Sequence, residues 1–270
     1  MELNQIFKRL WNIYTSQNPS VLNVYNLFIS QGENVVNDHI AFRTFNDPRV
    51  NIEVLAKEFI KAGYVEKGQY WFEEKKLLAR HFELEGVPDF PRVFISELVL
   101  ENFSDRLQET IKECIGRIPP ELLNSAGLIF SGNSWGKPSL GTYKQLKEES
   151  EYAAWLYVFG YCANHFTVSV NSLKTNDSLQ KVNQLLKVNG FELNDTGGEI
   201  KGTPLQRLEQ ASIKADPVMV NFQEGPFEIP GCYYEFARRY PDEHGNLFSG
   251  FIASSADKIF ESTNYYKKQQ

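Results

Sequence analysis

Two histidines, two glutamates and an arginine are the residues of this chain whose types and spacing could do chemistry together. His39 opens the segment His39-Ile40-Ala41-Phe42-Arg43, and His165 opens His165-Phe166-Thr167-Val168-Ser169. Both segments read as strands. Each is followed by a helical run that stops at a glycine, Gly63 or Gly190, 24 and 25 residues after its histidine. Each stretch then closes with a strand that sets a glutamate among apolar residues, Glu97 in Phe94-Ile95-Ser96-Glu97-Leu98 and Glu235 in Tyr233-Tyr234-Glu235-Phe236. The glutamates follow their histidines by 58 and 70 residues, and the extra 12 fit a longer loop in the second stretch. A repeat with histidines and a carboxylate at matching points suggests a metal shared by two halves. Two imidazoles and one carboxylate leave three octahedral positions open, the arrangement of non-haem Fe(II) sites that activate O2. A 2-oxo acid could chelate through two oxygens and leave the third position for O2. We take His39, His165 and Glu235 as metal ligands. Glu97 is either a fourth ligand or, as we prefer, a group behind the ligands or in the framework.

Side chains alternate across a strand, so His39, Ala41 and Arg43 share one face, as do His165, Thr167 and Ser169. The other faces, Ile40 and Phe42, Phe166 and Val168, are apolar and suit packing under helices. Arg43 lies four residues beyond His39, roughly 13 Å along an extended strand at about 3.3 Å per residue. It could grip the far carboxylate of a short diacid with its planar fork. Plainer readings exist for each residue. A lone strand histidine is more often structural than a ligand, and it is the repeat that favours ligation. Arg43 could equally be a salt-bridge partner. His81 and His244 have no repeat counterpart and read as a structural strand residue and a turn residue. Cys162 precedes His165 by three residues, but no second Cys-x-x-His pair completes a zinc site.

The elements that must position these groups make an α+β chain, which we read as one domain over 1–270. Helical spacing covers 3–15 and 19–31, giving a helical N-terminal segment, 1–32, outside the repeat. The first unit, about 37–101, has a β-α-β-β-β order. A helical insertion, 102–160, contains helices over 103–118 and 143–159. The second unit, about 164–240, has a helix over 178–188 and strands near 191–194, 198–202, 211–222 and 232–240. A short helix is expected at 255–261. The two units would form a curved mixed sheet around the metal.

Composition limits the alternatives. Hydrophobic residues make up 42% of the 270 and the net charge is −6, so a packed core is available and nucleic-acid binding is not indicated. Three cysteines suit a reducing compartment better than a disulfide framework. The N-terminus lacks a basic region followed by an apolar run, and no stretch is long enough to span a bilayer. We expect a cytoplasmic protein with no nucleic-acid or membrane partner, its oligomeric state open.

The repeated order with one metal between units resembles the vicinal oxygen chelate superfamily. More narrowly, Asn37-Asp38-His39-Ile40-Ala41-Phe42-Arg43-Thr44-Phe45, Pro91 to Leu98, Asn164 to Ser169, Tyr233 to Ala237 and the tail Ala256 to Asn264 resemble the 2-oxoadipate dioxygenase/decarboxylase family. The resemblance implies metal binding by His39, His165 and Glu235, and substrate binding by Arg43. It also implies that Fe(II) and O2 convert 2-oxoadipate to 2-hydroxyglutarate and CO2. The chain looks more compact than bacterial members of the family, so the 248–257 segment could supply part of the pocket. A glyoxalase-like lyase or isomerase with Zn2+ or Ni2+, and a metal-free binding protein of the same fold, remain alternatives. A hydrolase has little support, since no Gly-x-Ser-x-Gly elbow is present.

Overall fold

Apolar residues at helical spacing form α1 (Leu3–Gln17) and α2 (Pro19–Ser30) in the computed structural model, which describes residues 2–87 and 90–252. The first unit follows as β1 (Asn37–Phe45), α3 (Ile52–Lys61), β2 (Tyr64–Phe72), β3 (Leu77–Leu84) and β4 (Arg92–Leu98). The connection holds α4 (Asp105–Gly116), α5 (Pro120–Leu123), α6 (Leu140–Glu149) and α7 (Glu151–Phe159). The second unit is β5 (Ala163–Ser169), α8 (Leu179–Val188), β6 (Lys201–Thr203), β7 (Leu208–Ser212), a hairpin of β8 (Pro217–Phe222) and β9 (Gly225–Pro230), and β10 (Glu235–Arg239).

One eight-stranded sheet runs β2-β3-β4-β1-β5-β10-β7-β6. Outward from the middle, each half repeats the same sequence of strands. β1 pairs parallel with β4, β5 pairs parallel with β10, and β1 and β5 meet antiparallel at the centre. Ile40 lies opposite Phe166 there, so the dyad relating the halves passes between these residues and exchanges His39 with His165.

The apolar strand faces seat the outer helices. Phe166 meets Trp11 and Tyr14 of α1 at ring distances of 5.1 and 5.0 Å, Phe236 meets Phe28 of α2 at 5.9 Å, and Phe42 meets Phe59 of α3 at 5.8 Å. Each ring so buried stabilises the fold by about 1.5–3 kcal/mol. On the polar, concave face lies α7, whose residues from Tyr152 to Val158 are all buried. A helix apolar on every side needs such cover. Gly160 ends α7 at φ 64°, with Gly132 O only 2.1 Å from where a Cβ would stand, so only glycine fits this crossing.

Several boundaries differ from the sequence reading. The helix expected over 143–159 is two helices. Ser150 is extended between them, and its Oγ accepts from Ala153 N at 3.1 Å, capping α7. No strand covers 191–194, where Leu193 only bridges to Ile213. The expected 211–222 strand divides. Its start belongs to β7, while Asp216 turns toward α2 by accepting from Ser20 N at 2.9 Å, and Pro217 has no N–H for the ladder. The remainder pairs with β9 as a separate hairpin, which accounts for the longer second unit. The helix expected at 255–261 lies outside the described residues.

The loop between β5 and α8 is fixed by one carboxylate. Glu33 is buried and accepts from the main chain of Lys174, Thr175 and Asn176 and from the Thr175 and Asn176 side chains. Burial works against its charge, yet these bonds outweigh burial and hold Glu33 down to about 2. Its ionised form therefore stabilises the fold above its ordinary range near 4.5, and that contribution is lost as pH falls toward 2. We expect Glu33→Ala to cost about 3 kcal/mol at neutral pH. Urea unfolding at pH 7 and pH 3 checks this, the gap between variant and parent narrowing at the lower pH.

Candidate metal centre

Strand alternation and register gather His39 from β1, His165 from β5 and Glu235 from β10 on the concave face. His39 stands opposite Thr167, and Glu235 stands beside Thr167 on its other side. His39 Nε2 is 3.5 Å from Glu235 Oε1, and His165 Nε2 is 3.3 Å from Oε2. One donor atom from each of the three lies within 4.8 Å of the others, and all three residues are buried. Among the described residues no other group of three histidines, cysteines or acids comes together in this way.

Each imidazole is oriented by the residue just before it. Asp38 Oδ1 accepts from His39 Nδ1 at 2.8 Å, and Asn164 Oδ1 accepts from His165 Nδ1 at 3.0 Å. Holding the proton on Nδ1 leaves the Nε2 lone pair aimed inward. Arg239 grips Asp38 through Nε at 2.7 Å and Nη2 at 2.9 Å. Burial alone would raise Asp38, but Arg239 and His39 outweigh it and hold the carboxyl well below its usual range. Burial lowers His39, against the pull of Asp38, and lowers His165 further, helped by His39 and Arg43, so both rings are neutral donors. Burial also pushes Glu235 up to about 8, against a 2.6 Å hydrogen bond from Gln210 Nε2. Two neutral nitrogens and a buried carboxylate without adequate counter-charge fit a divalent cation. Losing the Asp38 acceptor should weaken metal binding about 10–100-fold. Metal titration of Asp38→Ala checks this, and Asp38→Asn, which copies Asn164, should recover part of the loss.

Arg43 lies on the same face of β1 as His39 and is 2% exposed. Its guanidinium sits 5.0 Å from the Tyr152 ring and 4.9 Å from the Trp155 ring, both on α7. It also borders a cavity of about 290 Å3 with Leu77, Phe103 and Tyr152. The Tyr233 ring stacks on His165 at 4.8 Å, and Arg43 acts against the rise that burial imposes on the Tyr233 hydroxyl.

Glu97 is not the counterpart of Glu235. Glu235 pairs with Thr167, two residues beyond His165, and the residue paired with Ala41, two beyond His39, is Phe94. Glu97 pairs instead with Thr44 on the helix side, where its Oε2 accepts from Ile52 N at 3.0 Å at the start of α3. Equal position in a closing strand does not imply equal register when the loops before it differ. His81 does face the concave side, opposite Phe94, and bonds to Tyr70 Oη and Glu83 at 2.9 Å each. His244 lies in an exposed turn. Burial pushes Cys162 up to about 12, which suits no nucleophile. The sequence reading gave no role to Gln210, the buried Lys201 or Arg239; the first two have no spacing signal, while strand alternation does put Arg239 on the face of Glu235. Asp38 and Asn164 did have one, as polar residues before both repeated histidines.

The family model for 2-oxoadipate dioxygenase/decarboxylase matches residues 5–126 and 120–245. The chain belongs to this family. A chloroplastic 2-oxoadipate dioxygenase/decarboxylase of Arabidopsis thaliana is 35% identical, over 96% of this chain and 76% of the relative. The crystal structure of rice (Oryza sativa) hydroxyglutarate synthase in complex with 2-oxoadipate is 34% identical, with a TM-score of 0.91 over 98% of this chain and 93% of that one. A Shewanella frigidimarina protein with a provisional hydrolase label is 48% identical, with a TM-score of 0.88 over 93% of this chain and 98% of that one.

Proposed function

We propose that this family member is an Fe(II)-dependent dioxygenase that converts 2-oxoadipate and O2 to 2-hydroxyglutarate and CO2. The observation that carries the reading is the buried His39–His165–Glu235 cluster with Arg43 on the same strand face as His39. The atoms balance: both oxygen atoms of O2 are taken up, one carboxyl leaves as CO2, and the shortened diacid ends with a carboxyl and a hydroxyl. Bound Fe(II) would supply the redox chemistry and the sites for chelating the 2-oxo acid. His39, His165 and Glu235 would hold it.

The chain's own residues do the rest. Asp38 and Asn164 keep the imidazole rings turned with Nε2 inward. Gln210 holds one Glu235 oxygen in place. Arg43 would take the far carboxylate of the diacid. Its position between the Tyr152 and Trp155 rings fixes the guanidinium before substrate arrives, so little ordering remains to oppose binding.

The test is O2 uptake by anaerobically iron-loaded protein across a panel of 2-oxo acids, with 2-hydroxy acid and CO2 measured together. Uptake matched one-to-one by 2-hydroxyglutarate on 2-oxoadipate is the expected result. Turnover without O2 would instead indicate glyoxalase-like or hydrolytic metal chemistry.

A further inference from the structure

The chain beyond the second unit returns across the concave face and ends its described part over the first. Phe248 O and Gly250 O accept from Arg239 Nη1 at 2.9 and 2.7 Å, and Phe251 N donates to Tyr70 Oη at 3.1 Å. Arg239 is the residue that grips Asp38, so this segment is tied through two side chains to the orientation of His39. The Phe251 ring stands edge-on to His39 at 4.8 Å. It also meets Phe94 at 4.8 Å, His81 at 5.3 Å and Tyr70 at 5.9 Å, and it lies 5.1 Å from the Arg239 guanidinium. Those contacts span β1, β4, β3 and β2. Phe251 is thus a single ring that fills the concave face of the first half beside the candidate metal ligands. The corresponding area of the second half carries the polar groups Thr167, Gln210 and Ser212.

We propose that Phe251 determines substrate specificity, by closing the part of the concave face beside His39 and Phe94 and confining a bound 2-oxo acid to the end of β1 that carries Arg43. The inference rests on the proposed function, and it explains selectivity that Arg43 alone would not give. An arginine selects for a far carboxylate, but it does not exclude a 2-oxo acid whose side chain lies elsewhere. Phe251 excludes the aryl-substituted acids, because an aryl group beside His39 would have to share space with a ring already packed on Phe94, His81 and Tyr70. Shortening Phe251 leaves a hole lined by those aromatic groups, of the size and polarity of a phenyl ring. Phenylpyruvate supplies both the 2-oxo carboxylate and a phenyl group to fill it.

The experiment is anaerobic calorimetry on Fe(II)-loaded wild type, Phe251→Ala and Phe251→Leu, with 2-oxoadipate and phenylpyruvate as ligands. Wild type should bind phenylpyruvate about 100-fold more weakly than 2-oxoadipate, and the variants should narrow that ratio about 10-fold or more. Phe251→Leu keeps an apolar anchor on Phe94 and serves if the alanine variant does not fold. An unchanged ratio in folded variants, with 2-oxoadipate still bound, overturns the role of Phe251 alone. Failure of metal-loaded wild type to bind 2-oxoadipate overturns the proposed function first.

Discussion

Glu235→Ala should lose its metal on dialysis and show no turnover, while the metal-free variant remains folded. The carboxylate is 1% exposed and lies between two neutral imidazoles, so it supplies the only negative charge in the set. Removing one partner from a buried charged arrangement costs about 3–5 kcal/mol, which corresponds to roughly 10^2–10^4-fold in metal affinity. Stability should move the other way. Without a cation, burial pushes this carboxyl up to about 8, a sign that the ionised group is poorly accommodated. The metal-free variant should therefore melt no lower than metal-free wild type. Added metal should then stabilise wild type by about 2.7 kcal/mol at a hundred times its dissociation constant, and leave the variant unchanged. Thermal melts with and without metal, together with metal content after dialysis, measure both effects. A variant that keeps its metal would remove Glu235 from the site.

Arg43→Lys should leave metal binding intact and weaken 2-oxoadipate binding about 100-fold. The lysine retains the charge but loses the planar fork, and its ammonium cannot match two carboxylate oxygens at once. Charge-assisted hydrogen bonds are each worth about 1.5–3 kcal/mol, so losing one of two accounts for that factor. The position between Tyr152 and Trp155 adds to the difference, since a guanidinium lies flat on aromatic rings in a way an ammonium does not. A 2-oxo monoacid, which has no far carboxylate, should bind parent and variant alike. Competition between the two acids for metal-loaded protein separates these outcomes, and equal affinity for 2-oxoadipate would place Arg43 outside the pocket.

Much of the site was readable from alternation alone. The nearly equal spacing of Gly63 and Gly190 from their histidines made the two strands equivalent, and the two-residue period put Arg43 beside His39 and Phe166 under the helices. Register was not readable. Counting along the chain matched Glu97 with Glu235, because both sit in closing strands, but pairing to β1 and β5 puts them on opposite faces. The chain does not record which residues face each other across a ladder when an inserted hairpin changes the spacing in one copy. The break at Ser150 was hidden for a different reason. A serine inside a run of helix formers reads as helix until the structure shows it capping the next one. The family resemblance pointed to the 248–257 segment as part of the pocket, but nothing singled out Phe251 within it, since its partners come from four strands and its own segment repeats nothing.

Among the metal ligands, the dyad between the halves is broken at one pair of positions, Glu235 and Phe94. A duplicated unit that repeated its ligands faithfully would present two equal sides to whatever bound between them. A flat 2-oxo acid could then bind in either of two equivalent poses, related by the dyad. Here one side offers a carboxylate, the other an aromatic wall, and Arg43 marks one end. Three unlike directions suffice to orient a planar molecule uniquely. On the proposed reaction, the substrate is therefore held in one orientation rather than in two equivalent ones, and the place where the repeat fails to repeat is what removes the second.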